Sequence, residues 1–409
     1  MMLDAARVAV LLTAASLPFS TAGTNIFMLS AVLFWALAAQ WRSTAQAIAA
    51  EPAAWLGWAL FAALVLGTSW SHAPAGDALD TALKYRELAL FGIVMFLFAD
   101  ARWRLRLLWV LFGAALALLA GSYAVHFGLI DIEPQRKLSQ GAVLLKSSIT
   151  HSLIMSLLAC GAAIMSFQLR GWHRWAMLLV AVLAAANVLI AIQGRTGYLV
   201  LAALLLWLAL RRWSVNGIVA ASLALGIATA AAYQLAPTFQ ARIDKTGAEA
   251  RRWGGDPTNN SLGQRLHYWK RSAELAARHG LVGVGTGGWR EAFYAATAND
   301  HPFFHDRAHK HPHNEYLFIT VQLGIGGLVM FVALFVVAFW RAGLRPEPEG
   351  TLARAVVIAF AIGCLVNDFL FDSTEGHVWA VLGGALFGAP PLSAARPGAP
   401  EGHHRASAS

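Results

Sequence analysis

The chain has 409 residues, of which 58% are hydrophobic and only 13% charged, with 31 Lys and Arg against 22 Asp and Glu. Soluble domains carry roughly 25% charged residues, so the composition excludes an ordinary water-soluble enzyme and points to an all-α integral membrane protein. The basic excess fits membrane topology and anionic lipid headgroups, and no nucleic-acid partner is expected.

Apolar blocks close to the ~20 residues that cross a bilayer recur along the chain and predict about twelve transmembrane helices. They fall at residues 7–20, 24–40, 53–70, 82–98, 106–127, 147–168, 174–193, 197–211, 214–235, 313–340, 352–371 and 376–389. The first block is as short as a signal-peptide core. Asp4 spoils its basic flank and further spans follow, so it reads as an uncleaved helix. Blocks 174–193 and 197–211 are parted only by Gln193-Gly194-Arg195-Thr196-Gly197. Together they would be about twice a bilayer width, and glycines flanking an arginine favour a tight polar turn. Cys160 and Cys364 both lie inside predicted spans, so neither a disulfide nor a thiolate metal site is expected. No internal repeat is visible.

Lys and Arg in the short loops set the orientation. With the N-terminus inside, the cytoplasmic loops hold Arg7, Arg42, Arg102, Arg104, Arg106, Arg170, Arg174, Arg211, Arg212, Arg341, Arg345, Arg354, Arg396 and Arg405. The outer loops hold Lys84, Arg86, Arg136, Lys137, Lys146 and Arg195. This bias places both termini in the cytoplasm and the one long polar segment outside. The organisation is therefore residues 1–235 as nine spans, 236–312 as a large periplasmic loop, 313–389 as three spans, and 390–409 as a mobile tail rich in Pro, Ala and Gly.

The long segment has helical character. Leu262, Leu266, Trp269, Ala273 and Ala276 recur at helical spacing within residues 261–279, and residues 289–298 read as a second short helix. Between them Gly283-x-Gly285-x-Gly287 follows a helix rather than a strand, which favours a structural turn over a nucleotide loop. A polar cap on a membrane body is where such a protein meets a water-borne or lipid-linked substrate.

His301, His305, His309, His311 and His313 crowd the end of this segment. A zinc site is one reading and a wet polar loop another. With only Asp300, Asp306 and Glu315 as nearby carboxylates and no zincin pattern, no metal is expected. A third reading starts from Pro312. Proline favours a first helical turn, so the tenth span is expected to begin there, with His313 beside unpaired N–H groups that attract anions. A group that exchanges protons near neutral pH beside an anion site suits transfer from a phosphorylated donor. Arg195, at a membrane boundary, is either an interfacial anchor or a functional charge. Lys84, Arg86 and Lys146, at outer helix ends, bind either phosphate or lipid headgroups. Asp368 and Asp372 are unusual near the end of an apolar block, and the sequence assigns them no role.

Four elements carry a resemblance: Gln193-Gly194-Arg195-Thr196-Gly197, Arg265-x-x-x-Trp269, Gly283-Val284-Gly285-x-Gly287 and His311-x-His313-Asn314-x-Tyr316-Leu317. In this order and placement the chain resembles the O-antigen ligase and O-antigen polymerase superfamily of bacterial envelope glycosyltransferases. The resemblance implies an inner-membrane enzyme with its active site facing the periplasm. It would take a glycan from undecaprenyl-pyrophosphate and pass it to a sugar of lipid A–core. The family's essential histidine falls on His313 and its essential arginines on Arg195 and Arg265. His311, Asn314 and Tyr316 join Lys84, Arg86 and Lys146 as candidate substrate-binding residues. A lipid pyrophosphate is already a good leaving group, so no cofactor is expected. The arginines would hold the pyrophosphate and His313 would take the acceptor's proton in an inverting attack, with Glu315 and Asp306 as alternative carboxylates. An O-antigen polymerase or a protein O-oligosaccharyltransferase would share these motifs. A transporter or flippase would instead place its polar groups near the midplane of repeated helices.

Overall fold

The computed structural model describes residues 1–212, 261–305 and 309–392, with scattered positions between 217 and 247 and without the side chains of residues 136 and 138. The expected ninth span at 214–235 falls mainly outside the described residues, as do Asp306 and most of the 390–409 tail.

Every other predicted apolar block is a helix, and among the described residues there is no named strand. In chain order these are α1 (Met2–Ser16), α2 (Thr21–Leu37), α3 (Trp41–Ala50), α4 (Pro52–Leu66), α5 (Ala75–Leu83), α6 (Glu87–Leu97), α7 (Ala101–His126), α8 (Pro134–Gln140), α9 (Ser148–Gln168), α10 (Trp172–Ala186) and α11 (Arg195–Arg212). The cap supplies α12 (Ser261–Arg278) and α13 (Trp289–Ala296), and α14 (Glu315–Ala342), α15 (Glu349–Gly363), α16 (Ser373–Val378) and α17 (Gly384–Phe387) complete the body. Five helical segments are long and apolar enough to cross a membrane, or six if α2 and α3 count as one span bent by 111°. Part of the difference from about twelve is length, while α11 has 18 residues but carries Arg195, Arg211 and Arg212. α1 and α15 have 15 residues each, about 22 Å at ~1.5 Å per residue, short of a ~30 Å hydrocarbon core.

Caps fix several helix starts. Asp100 accepts from the Arg102 amide at 2.8 Å, Ser147 from Thr150 at 3.2 Å and Glu51 from Ala53 at 3.3 Å. α9 is the central helix, packed by α7, α10, α11 and α15. α14 lies against α4, α15 and α12. At its far end Arg341 and Arg345 meet Glu51 at 3.1 Å and 2.7 Å.

In the cap Tyr268, Leu275, Trp289, Phe293 and Phe304 are all buried and continue the core of the helix body, with Trp289 against Phe318. Trp289 Nε1 donates to Ser272 Oγ at 2.9 Å, which joins α13 to α12. Asp300 binds His267 at 2.9 Å and also pairs with Arg271, so the turn after α13 is tied back to α12. The glycine run is the structural turn expected. Gly283, Gly285 and Gly287 all have positive φ, and a Cβ on Gly285 would overlap the Ser71 backbone.

Candidate functional site

The site forms where four chain segments meet: residues 309–314, the start of α11, one face of α12, and the connection between α15 and α16. The last of these is its spine. Glu315, in the first turn of α14, accepts from the Leu370 amide at 2.9 Å and from Cys364 Sγ at 3.0 Å, while its own amide donates to the Cys364 carbonyl at 2.8 Å. This fastening presents Val366, Asn367 and Asp368 to the histidines and arginines.

His311 Nδ1 lies 2.6 Å from Asp368 Oδ2. The rings of His311 and His313 are 4.5 Å apart and nearly perpendicular. Arg265 on α12 donates to the Val366 carbonyl at 3.0 Å and to Asn367 Oδ1 at 3.4 Å. Asn367 Nδ2 donates to Thr196 Oγ1 at 2.5 Å, which ties the first turn of α11, with Arg195 beside it, to the same spine. Trp269 Nε1 donates to the His313 carbonyl at 3.3 Å. The structure thus brings Arg265, His311 and His313 together and anchors the Arg195 turn to the same segment. Lys84 joins through Phe371, with Nζ 4.1 Å from the ring centre, and that ring lies 5.6 Å from His311.

The other sequence candidates sit differently. Lys146 Nζ donates to Thr21 at 2.5 Å and Thr374 at 3.1 Å. Arg86 binds Asn25 at 2.7 Å and Glu87 at 3.2 Å. Both belong to an adjoining cluster with Glu375, which accepts from Thr150 at 2.5 Å. The Tyr316 hydroxyl donates to the Ala361 carbonyl at 3.0 Å, and its ring packs on Phe331 and Phe335, inside the helix bundle. His301, His305 and His309 serve the cap. Their ring nitrogens meet the Phe303 amide at 3.2 Å, the Tyr294 carbonyl at 3.1 Å, and Tyr268 at 2.9 Å.

The start of α14 differs from expectation. The helix begins at Glu315, not Pro312, with Asn314 as its N-cap accepting from the Leu317 amide at 3.1 Å. His313 precedes the helix with φ +55°. An asparagine cap outcompetes proline as the start signal here, and it uses an amide that the anion reading had left open. His313 is therefore placed by the spine and by Trp269, not by a first helical turn.

The two histidines have opposite electrostatics. Burial pushes the His313 imidazole down to about 4, helped by the positive charges of His311 and Arg265 and opposed by Asp368 and Asn367. Burial would lower His311 too, but the charge and hydrogen bond of Asp368, with Asp372 behind, outweigh it and raise His311 above its ordinary value. His311, His313 and Asp368 also offer ligand atoms within 4.8 Å of one another, a set that can hold a metal ion among the described residues. The sequence singled out Asp368 but assigned it no role, because its partner His311 is distant in the chain. The available signal was an Asn-Asp pair and a second Asp within an otherwise apolar block.

A membrane-embedded helical protein, with its polar groups gathered where a cap meets the ends of its helices, is the class these features define. The family model described as O-antigen ligase matches residues 180–332, from α10 through the cap into α14, and over this stretch the chain is similar to that family. No curated protein matches the chain.

Proposed function

We propose that the protein is an inner-membrane glycosyltransferase that moves an O-antigen glycan from undecaprenyl-pyrophosphate to a sugar hydroxyl of lipid A–core, without a cofactor. The observation that carries this reading is the convergence of Arg265, His311 and His313, all within the family match, on the 366–368 spine beyond it, to which the Arg195 turn is also tied.

The acceptor oxygen attacks the anomeric carbon, its O–H proton goes to His313, and the bond from that carbon to the phosphate oxygen breaks with its electron pair on the leaving pyrophosphate. Neighbouring titratable groups whose environments drive them apart mark an acid–base division of labour. Neutral His313 is the base. His311, whose cationic form Asp368 favours, joins Arg195, Arg265 and Lys84 in balancing the charge of the pyrophosphate. Attack from the opposite face inverts the anomeric centre. The surplus of positive side chains favours a metal-independent reaction, even though Asp368 completes a possible ligand set.

The test is a purified assay with lipid-linked glycan and lipid A–core. Glycosylated core is the expected product. Chain growth that occurs only on a second lipid-linked repeat would make the protein a polymerase instead.

A further inference from the structure

We infer that the glycine turn between α12 and α13 dips into the outer edge of the bilayer, with Leu281 and Val282 inserted among lipid acyl chains. On the sequence reading the whole of residues 236–312 is aqueous.

The turn lies alongside α14, not above it. The Val284 amide donates to the Val321 carbonyl at 2.9 Å, Gly285 to Gln322 at 3.0 Å, and Ile325 to Gly280 at 2.7 Å. These partners lie roughly 10–15 Å along α14 from its start at Glu315, at ~1.5 Å per residue. The far end of α14 is marked by Trp340 and the Arg341–Arg345 pair on Glu51. Counting back about 20 residues, the ~30 Å of a hydrocarbon core, puts its outer boundary near Val321.

Exposure agrees with this depth. On α14 the outward apolar strip begins at Ile325 (51% exposed) and continues through Val329 (60%), Val332, Val336 and Trp340 at helical spacing. Leu281 (85%) and Val282 (58%) extend the strip at its outer end. Leu66 and Trp70, also exposed, extend it sideways. Thr286 holds that neighbour in place, its amide donating to the Gly67 carbonyl at 3.0 Å and its hydroxyl to Leu64 at 2.6 Å. Residues 280–289 contain no charged side chain.

Irregular backbone survives at this depth only when protein satisfies its polar groups. The amides of Gly283, Val284, Gly285, Thr286, Gly287 and Gly288 are satisfied by His279, Val321, Gln322, Gly67, the Gln322 side chain and Gly285. The α14 helix makes room by breaking at Gly324 (φ +67°), where a Cβ would overlap the Leu281 carbonyl. Continuity with the α14 strip assigns the covering partner to the bilayer. The inference does not depend on the catalytic reading.

The experiment is a spin label at Val282→Cys in protein reconstituted into phosphatidylcholine vesicles. Both native cysteines are buried. Val329→Cys is the lipid reference and Ala298→Cys, on the exposed face of the cap, the aqueous reference. We expect the Val282 label to collide more with oxygen than with a water-soluble nickel chelate, as at Val329. A label that behaves like Ala298 overturns the inference. So does a label shielded from both reagents with dipolar broadening, which assigns the patch to a second copy, or one shielded only when lipid-linked donor is added.

Discussion

His311 and His313 flank one buried proline, and under the proposed mechanism their different neighbours suit them to different tasks. Removing His313 takes away the neutral acceptor, and general-base catalysis is worth about 10²–10⁴-fold. His313→Ala is expected to lose at least that order in turnover, with donor binding little changed because the cations remain. A steady-state comparison of kcat and donor KM decides this. A near-normal kcat would pass the role to another group, Glu315 first. His311 predicts a pH effect of definite sign. Its raised pKa keeps the imidazole charged above the ordinary histidine range, and the charge is lost as pH rises through that value. Asp368→Asn removes the main source of the increase. The rise in donor KM with pH should then begin lower than in wild type across roughly pH 5–9. An unchanged profile would mean that Asp368 does not govern His311. Arg265 uses two nitrogens on the spine, and a lysine cannot reproduce that fork. Arg265→Lys should cost about 1.5–3 kcal/mol of substrate stabilisation, or roughly 10–150-fold in kcat/KM. Arg278→Ala, on the same helix, should be close to silent.

At the scale of elements, the glycine turn and the break in α14 form one joint. Gly285 combines φ +82° with a Cβ position that overlaps Ser71, whereas a Cβ at Gly326, two residues past the α14 break, meets nothing within 4 Å. Gly285→Ala should lose roughly 2–3 kcal/mol of stability and Gly326→Ala almost none. Thermal unfolding of both variants in detergent checks the contrast, and equal midpoints would show that the joint does not support the body. The elements themselves were largely legible in the sequence, because long apolar blocks need no partner to be recognised. Both cap helices were legible from their spacing too. The short helices α3, α5 and α8 were not, since ten residues or fewer carry too little periodicity to separate from a loop. The start of α14 was misplaced because proline and asparagine are competing start signals, and only packing shows which one caps. The site was half legible. Arg195, Arg265, His311 and His313 stand out by residue type and order. Asn367 and Asp368 reach them from across the fold, and nothing local in the chain announces that contact.

For the whole molecule the question is which face of the membrane carries the cap. α14 runs from the candidate site to Arg341, so the two lie at opposite ends of one helix. The arginine end is consistent throughout. Arg341 and Arg345 hold Glu51, Arg211 pairs with Glu347, and Arg104 lies 3.5 Å from Glu349. These contacts gather basic residues from α7, α11 and α14 at the end away from the cap. Basic residues at membrane-span ends favour the cytoplasm. The opposite orientation would carry this cluster across the bilayer and leave the cap on the same side as the cell's anionic inner surface. The expectation is therefore that an alkaline phosphatase fusion near Gly255 is active and one near Pro346 is not, with a cytoplasmic reporter giving the reverse. Active phosphatase at Pro346 would overturn the orientation and remove the candidate site from the side where a periplasmic acceptor can reach it. The arginine cluster itself has a separate test in Glu51. Glu51→Ala leaves the buried Arg345 side chain with backbone carbonyls but no carboxylate, which should cost up to about 3–5 kcal/mol. Glu51→Gln, which keeps one acceptor oxygen for the arginines but not the charge, should lose less. If both variants unfold at the wild-type temperature, the arginine cluster is held by solvent or headgroups and not by Glu51.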